Sequence, residues 1–125
     1  MHILLDTHIF IWWLKNDSDL SLKARSLIMD AEQVYVSSVS IWEAVIKVNL
    51  GKLEVDIHLL TSAIESEGFL ELPMTARHAA FVSTLANHHR DPFDRMLIAQ
   101  ALSEPLRFLT ADQQLLKYSE LIERV

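Results

Sequence analysis

Cysteine is absent from the 125-residue chain, and glycine occurs only at Gly51 and Gly68. Without cysteine there is no disulfide and no thiolate metal site, a usage that suits the cytoplasm. Neither glycine belongs to a glycine-rich loop of the kind that cradles phosphates. No apolar run reaches the ~18 residues of a membrane span. The apolar stretch Ile9–Leu14 lacks the basic start and cleavage region of a signal peptide. Repeats, low-complexity tracts and linker-like segments are missing too. Basic residues are in deficit: 11 Lys and Arg stand against 17 Asp and Glu, a net charge of −6. Taken alone, that balance argues against a nucleic-acid partner. What is present fits one globular domain over residues 1–125, with half of the residues hydrophobic and a length that supports a single core.

Ile3-Leu4-Leu5-Asp6-Thr7 runs three branched apolar residues into a carboxylate. A continuous apolar run suits a strand buried on both faces of a sheet. The acid then falls at the sheet's carboxyl edge, where ligands of open α/β sheets collect. A helix is expected from Thr7 to about Lys15, with Trp12 and Trp13 read as core or a subunit contact. Helical spacing follows at Leu20, Ala24, Leu27 and Ile28. Val34-Tyr35-Val36 is a short strand. Ser40-Ile41-Trp42-Glu43 has capping-box spacing and opens a helix to about Leu50, ended by Gly51. A helix from Asp56 to about Glu67 is ended by Gly68. Phe69–Leu72 is a strand, and Thr75 begins a helix to about Ala86. In Asp91-Pro92-Phe93-Asp94, Asp91 is the N-cap, Pro92 is N1 and Asp94 is N3 of a helix to Leu102. Arg107–Thr110 is a strand, Asp112 starts a last short helix, and Leu121–Val125 adds a terminal strand. Strands alternating with helices predict an α/β fold, a three-layer α/β/α arrangement with a mostly parallel sheet of four to five strands.

In a parallel sheet the carboxyl-end loops share one edge. Asp6 ends the first strand, Glu43 lies in the helical turn after the second, and Asp112 follows the fourth. Asp91 and Asp94 open the helix leading into that fourth strand. Each has a plainer explanation. Glu43 completes a capping box, Asp91 and Asp112 cap helices, and Asp94 answers a helix dipole. Asp6 caps nothing obvious except through Thr7, and capping does not explain why every such acid falls on one edge. Three or four carboxylates near one point require a counter-charge. All-oxygen ligands favour Mg²⁺, with Mn²⁺ possible, over zinc. Such ions generate hydroxide from water and neutralise charge on a cleaved phosphodiester. In this scheme Asp6, Glu43 and Asp94 orient metal and water, and Asp112 assists a second ion or positions water. Setting aside four of the 17 acids leaves 13 against 11 bases, so the rest of the molecule is near neutral. Arg90 and Arg95 either contact phosphate or form ion pairs, Asp91 with Arg95, as Glu43 pairs with Lys47. His88 and His89 either contact a phosphate or are solvated loop residues, the second reading being favoured, and His2 and His8 receive no role.

Leu4-Leu5-Asp6-Thr7-His8, Ser38-Val39-Ser40-Ile41-Trp42-Glu43, His89-Arg90-Asp91-Pro92-Phe93-Asp94-Arg95, Leu97-Ile98-Ala99-Gln100-Ala101 and Leu109-Thr110-Ala111-Asp112 together resemble the PIN domain, in particular the VapC-type toxins of bacterial toxin–antitoxin pairs. The resemblance spans nearly the whole chain, in the family's motif order. It implies a metal-dependent endoribonuclease, a homodimer, and inhibition by a cognate antitoxin whose tail occupies the acidic groove. It implies Asp6, Glu43, Asp94 and Asp112 as the four acids, with Asp91 in reserve for the third. Thr7, Ser38 and Thr110 match polar positions near the site, and Arg95 joins them as a substrate contact. The chief alternative is a catalytically inactive PIN-like module that binds RNA or protein. A phosphoacceptor receiver domain fits less well, because Asp6 lacks an acidic neighbour and the second strand runs into serines. A DNA flap nuclease would need a DNA-clamping segment that the short chain lacks.

Overall fold

The computed structural model describes residues 1–125. Five strands form one sheet: β1 (His2–Leu5), β2 (Gln33–Ser37), β3 (Leu70–Leu72), β4 (Arg107–Thr110) and β5 (Ile122–Arg124), in the order β3-β2-β1-β4-β5. Every neighbouring pair is parallel, with Ile3 facing Val34 on one side and Arg107 on the other. The helices are α1 (Thr7–Lys15), α2 (Leu22–Asp30), α3 (Ser38–Asn49), α4 (Ile57–Ser66), α5 (Ala76–Phe81) and α6 (Pro92–Ser103). No helix is long and apolar enough to cross a membrane.

The unbroken apolar run of β1 is explained by burial on both faces. Ile3 and Leu5 pack with Ile9 and Phe10 of α1, Ala24 and Ile28 of α2, and Leu60 and Ile64 of α4. Leu4 points the other way, with Phe108, against Leu97, Ile98 and Ala101 of α6 and Leu115. Side chains alternate across a strand, so two cores need apolar residues at every position. Truncating a fully buried residue such as Leu97 to Ala costs about 2–5 kcal/mol.

Several boundaries follow local chemistry. Asp56 caps α4 by accepting from the backbone of His58 and Leu59. Gly68 leaves α4 with φ +76°, a left-handed conformation open to glycine. Two expectations need correction. The capping box at Ser40 and Glu43 does not form. Ser37 is the cap of α3, its hydroxyl accepting from Val39 N, so Ser40 and Glu43 lie inside the helix and their side chains are free for other partners. The helix from Thr75 stops at Phe81 and tightens into a 3₁₀ turn over Val82–Thr84. There the hydroxyls of Ser83 and Thr84 donate to the carbonyls of Ala80 and Phe81, competing with helix propagation.

Candidate active site

Asp6 follows β1 directly. Its backbone N–H donates to Leu109 O at 2.9 Å, extending the pairing with β4 by one residue. One carboxylate oxygen accepts from Thr7 N at 2.7 Å, capping α1, and the other from Thr110 Oγ1 at 2.7 Å. The neighbouring strand end thus holds the acid, and Thr110 also accepts from Asp112 N at 3.1 Å.

Glu43, nearly fully buried, projects from the second turn of α3. Oε1 accepts from Thr7 Oγ1 at 2.7 Å, and Thr7 Oγ1 lies 2.9 Å from Ser40 Oγ. Oε2 takes Lys47 Nζ at 2.6 Å, one helical turn on. Asp91 caps α6 through Oδ1, which accepts from Phe93 N at 2.8 Å and Asp94 N at 3.2 Å. Asp94 spends nothing on capping. Its side-chain partner is His89, Nε2 to Oδ2 at 2.8 Å. Asp112 caps the 3₁₀ helix Gln113–Tyr118 by accepting from Gln114 N at 2.9 Å.

These acids converge. Asp6, Glu43, Asp91, Asp94 and Asp112 line one cleft of about 300 Å³ at the carboxyl edge of the sheet, with His8, Trp12, Lys47 and Ala111. Burial raises the carboxyl of Asp94 to about 7, aided by the charges of Asp6, Asp91 and Glu43 and opposed by the His89 bond. Asp6 is raised for the same chief reason, against the hydrogen bonds from Thr110 and Thr7. Partial burial works against the charge on Lys47. The bond to Glu43 and the fields of Asp91 and Asp94 outweigh it and raise the ammonium. One lysine is too little positive charge for five acids, and the cleft disfavours its own ionised state. An all-carboxylate donor set with unshared lone pairs fits a hard divalent cation.

The polar residues assigned to substrate land elsewhere. Thr7 and Thr110 are buried, with hydroxyls donated to Glu43 and Asp6, which positions those acids. Ser38 accepts from Met74 N at 3.0 Å, tying down the exit from β3. Arg95 neither pairs with Asp91 nor faces the cleft. Its guanidinium donates to Ala86 O at 2.9 Å, to Tyr118 Oη at 3.1 Å and to His89 O at 3.4 Å, bracing the loop before α6. Trp12 is only half buried and lines the cleft, its ring edge-on to His8 at 6.0 Å, whereas Trp13 packs on Phe69. The sequence reading missed His89 and His8. Helical periodicity had one signal for His8: it lies on α1 one turn before Trp12, two residues after Asp6.

The family model of the PIN domain matches residues 3–121. Ribonuclease VapC22 of Mycobacterium tuberculosis is 27% identical over 115 residues, covering 90% of this chain and 88% of that protein. Among solved structures, DNA-bound VapBC from Salmonella typhimurium superposes with a TM-score of 0.71 at 16% identity, covering 99% of this chain and 98% of the other. A toxin–antitoxin complex from Klebsiella pneumoniae gives 0.66 at 15% identity, covering 98% and 99%.

Proposed function

The chain belongs to the PIN domain family, and from that premise we propose that it is a VapC-type toxin, a metal-dependent endoribonuclease held in check by a cognate antitoxin. The observation that carries the reading is the cleft itself, where five carboxyls from two strand ends, the body of α3 and the start of α6 meet a single lysine. Such a site gains most from a divalent cation, and the cation gives an acidic protein an attraction for phosphate. A curated relative named as a ribonuclease, aligned over most of both chains, supports the substrate class.

In the proposed mechanism Asp6, Glu43 and Asp94 hold Mg²⁺ or Mn²⁺, which when bound supplies a Lewis acid and a nucleophilic water. The chain's own residues fix the geometry. Thr110 and Thr7 N–H set the rotamer of Asp6, Thr7 and Lys47 set that of Glu43, and the cap at Asp91 aims the first turn of α6. Asp94 ranks ahead of Asp91 as the third metal acid, since Asp91 Oδ1 already serves two backbone donors. Asp112, with one oxygen capping, orients water or assists a second ion. Trp12, half-buried on the cleft wall, offers a stacking face to a base.

The antitoxin and a homodimer are proposed partners. Trp42 is 56% exposed and its ring meets Phe93 edge-on at 4.9 Å, an apolar pair at the surface that suits a subunit contact. The reading places the protein in the cytoplasm with its RNA. Purified protein is incubated with RNA and with single-stranded DNA, with Mg²⁺, Mn²⁺ or EDTA. Cleavage of RNA that requires the cation is expected. Binding of RNA with no cation-dependent cleavage would instead mark an inactive binding module.

A further inference from the structure

We propose that His89 supplies a nitrogen ligand to a cation shared with Asp94 and Asp112, so that this side of the centre prefers a first-row transition ion over Mg²⁺; the inference rests on the metal-dependent reading above. His89, Asp94 and Asp112 each offer one ligand atom, and the three atoms lie within 4.8 Å of one another. His89 Nε2 already stands 2.8 Å from Asp94 Oδ2. Two ligands on one ion at bond lengths of about 2.0–2.2 Å sit about 3 Å apart when at right angles, so a small side-chain rotation suffices.

The imidazole is held for this. Arg95 grips the carbonyls of Ala86 and His89 and reaches Tyr118 Oη, while His88 N–H donates to the same Tyr118 oxygen at 3.1 Å. Four hydrogen bonds among α6, the 3₁₀ helix and the loop thus fix a segment of otherwise exposed polar residues, and His89 is the one of them that bonds Asp94. Charge favours it as well. A further carboxylate would add negative charge to a cleft that already gathers five acids, whereas a neutral imidazole adds a donor without adding negative charge. As a ligand the ring would be the neutral tautomer with its one proton on Nδ1 and Nε2 free for the ion. Imidazole suits transition ions, while Mg²⁺ takes oxygen ligands and retains its waters.

The test is pulsed electron paramagnetic resonance of Mn²⁺ bound to the full chain, read for coupling to a directly bound ¹⁴N, with calorimetric titration of Mn²⁺ and Mg²⁺ alongside. Wild type is expected to show the nitrogen coupling. His89→Ala should lose it and bind Mn²⁺ about tenfold or more weakly, with Mg²⁺ affinity changed less than about twofold. His88→Ala and His8→Ala should keep the coupling. Absence of nitrogen coupling in Mn²⁺-loaded wild type would overturn the inference while leaving a carboxylate metal centre standing. Its survival in His89→Ala, or an equal loss of Mg²⁺ affinity, would also overturn it, the latter marking His89 as a support for Asp94. Failure of wild type to bind either ion would remove the metal centre and this inference together.

Discussion

The first turn of α6 carries Asp94 into a cleft crowded with carboxyls, and less than two turns further on the same helix carries Gln100 into a closed set of partners. Gln100 is fully buried. Its Oε1 accepts from Ser37 Oγ at 2.5 Å, and its Nε2 reaches Pro73 O at 3.4 Å and His78 Nδ1 at 3.3 Å. His78 Nδ1 also accepts from Thr75 N at 3.1 Å, and the other ring nitrogen meets Glu104. Donors and acceptors match around that circuit, which ties α6 to the end of β2 and the cap of α5. In the cleft they do not match. Acceptors and negative charge outnumber what Lys47, Thr7, Thr110 and His89 provide. A satisfied buried network stabilises the fold and asks for nothing more. An unbalanced one is where a ligand has work to do.

The sharpest way to break this contrast is Asp94→Asn. RNA cleavage should fall on the order of 10²–10³-fold, measured on a defined RNA with Mg²⁺, while the metal-free protein melts at a higher temperature than wild type because one repelling charge is gone. Retained cleavage would show that the cleft is no less structural than the Gln100 circuit. Gln100→Leu should do the reverse. It strands Ser37, His78 and the Pro73 carbonyl, so urea unfolding should show a loss of about 2–3 kcal/mol, with Mg²⁺ affinity within about twofold of wild type.

A pH series sharpens the comparison further. The folded Asp94 carboxyl is raised to about 7 from 3.8, so the folded state binds its proton more tightly than the unfolded chain. Stability of the metal-free protein therefore falls as pH rises from about 4 through 7 and is flat above. Asp6, raised in the same direction, adds to the slope. The loss should be roughly 2 kcal/mol once solvent contact is allowed for, seen as a lower Tm at pH 8 than at pH 5 in EDTA and abolished by saturating Mg²⁺. The smallest effect is expected of Asp91→Asn. Asparagine caps as well as aspartate, so stability should hold within about 0.5 kcal/mol and cleavage within about tenfold of wild type.

Where one local rule decides, the sequence is transparent. Unbroken apolar residues at Ile3–Leu5 mean a strand between two cores. Asp-Pro at 91–92 means a helix start, and Gly51 and Gly68 mean helix ends. The convergence of acids was legible for a similar reason, since Asp6 and Asp112 follow strand ends, Asp91 and Asp94 open a helix, and Glu43 lies early in the helix after β2. Competition between rules hid the rest. Ser37, Ser38 and Ser40 are all plausible caps, and the one nearest β2 won, which changes Glu43 from a capping residue into a buried acid. Arg95 lies one turn after Asp91, the spacing of an ion pair. Four acceptors, the carbonyls of Leu85, Ala86 and His89 and the Tyr118 hydroxyl, claimed its guanidinium, and sequence spacing carries no trace of them. His89 looked like loop because its partner, Asp94, is reached by a bend of the chain and not by helical or strand periodicity.

One hydrogen bond has a bearing on time as well as space. Thr110 reaches Asp6 across 104 residues of chain, because β1 lies in the middle of the sheet and takes β4 as a neighbour only after α6 has been laid down. Asp6 precedes its partner by 104 residues and has no such bond until that partner is in place. A nascent chain that stops short of β4 has half a sheet, no hydroxyl for Asp6 and no Asp112. Contacts of such long sequence separation form late. The proposed centre, which draws on residues as far apart as Asp6 and Asp112, therefore assembles only when β4 joins β1.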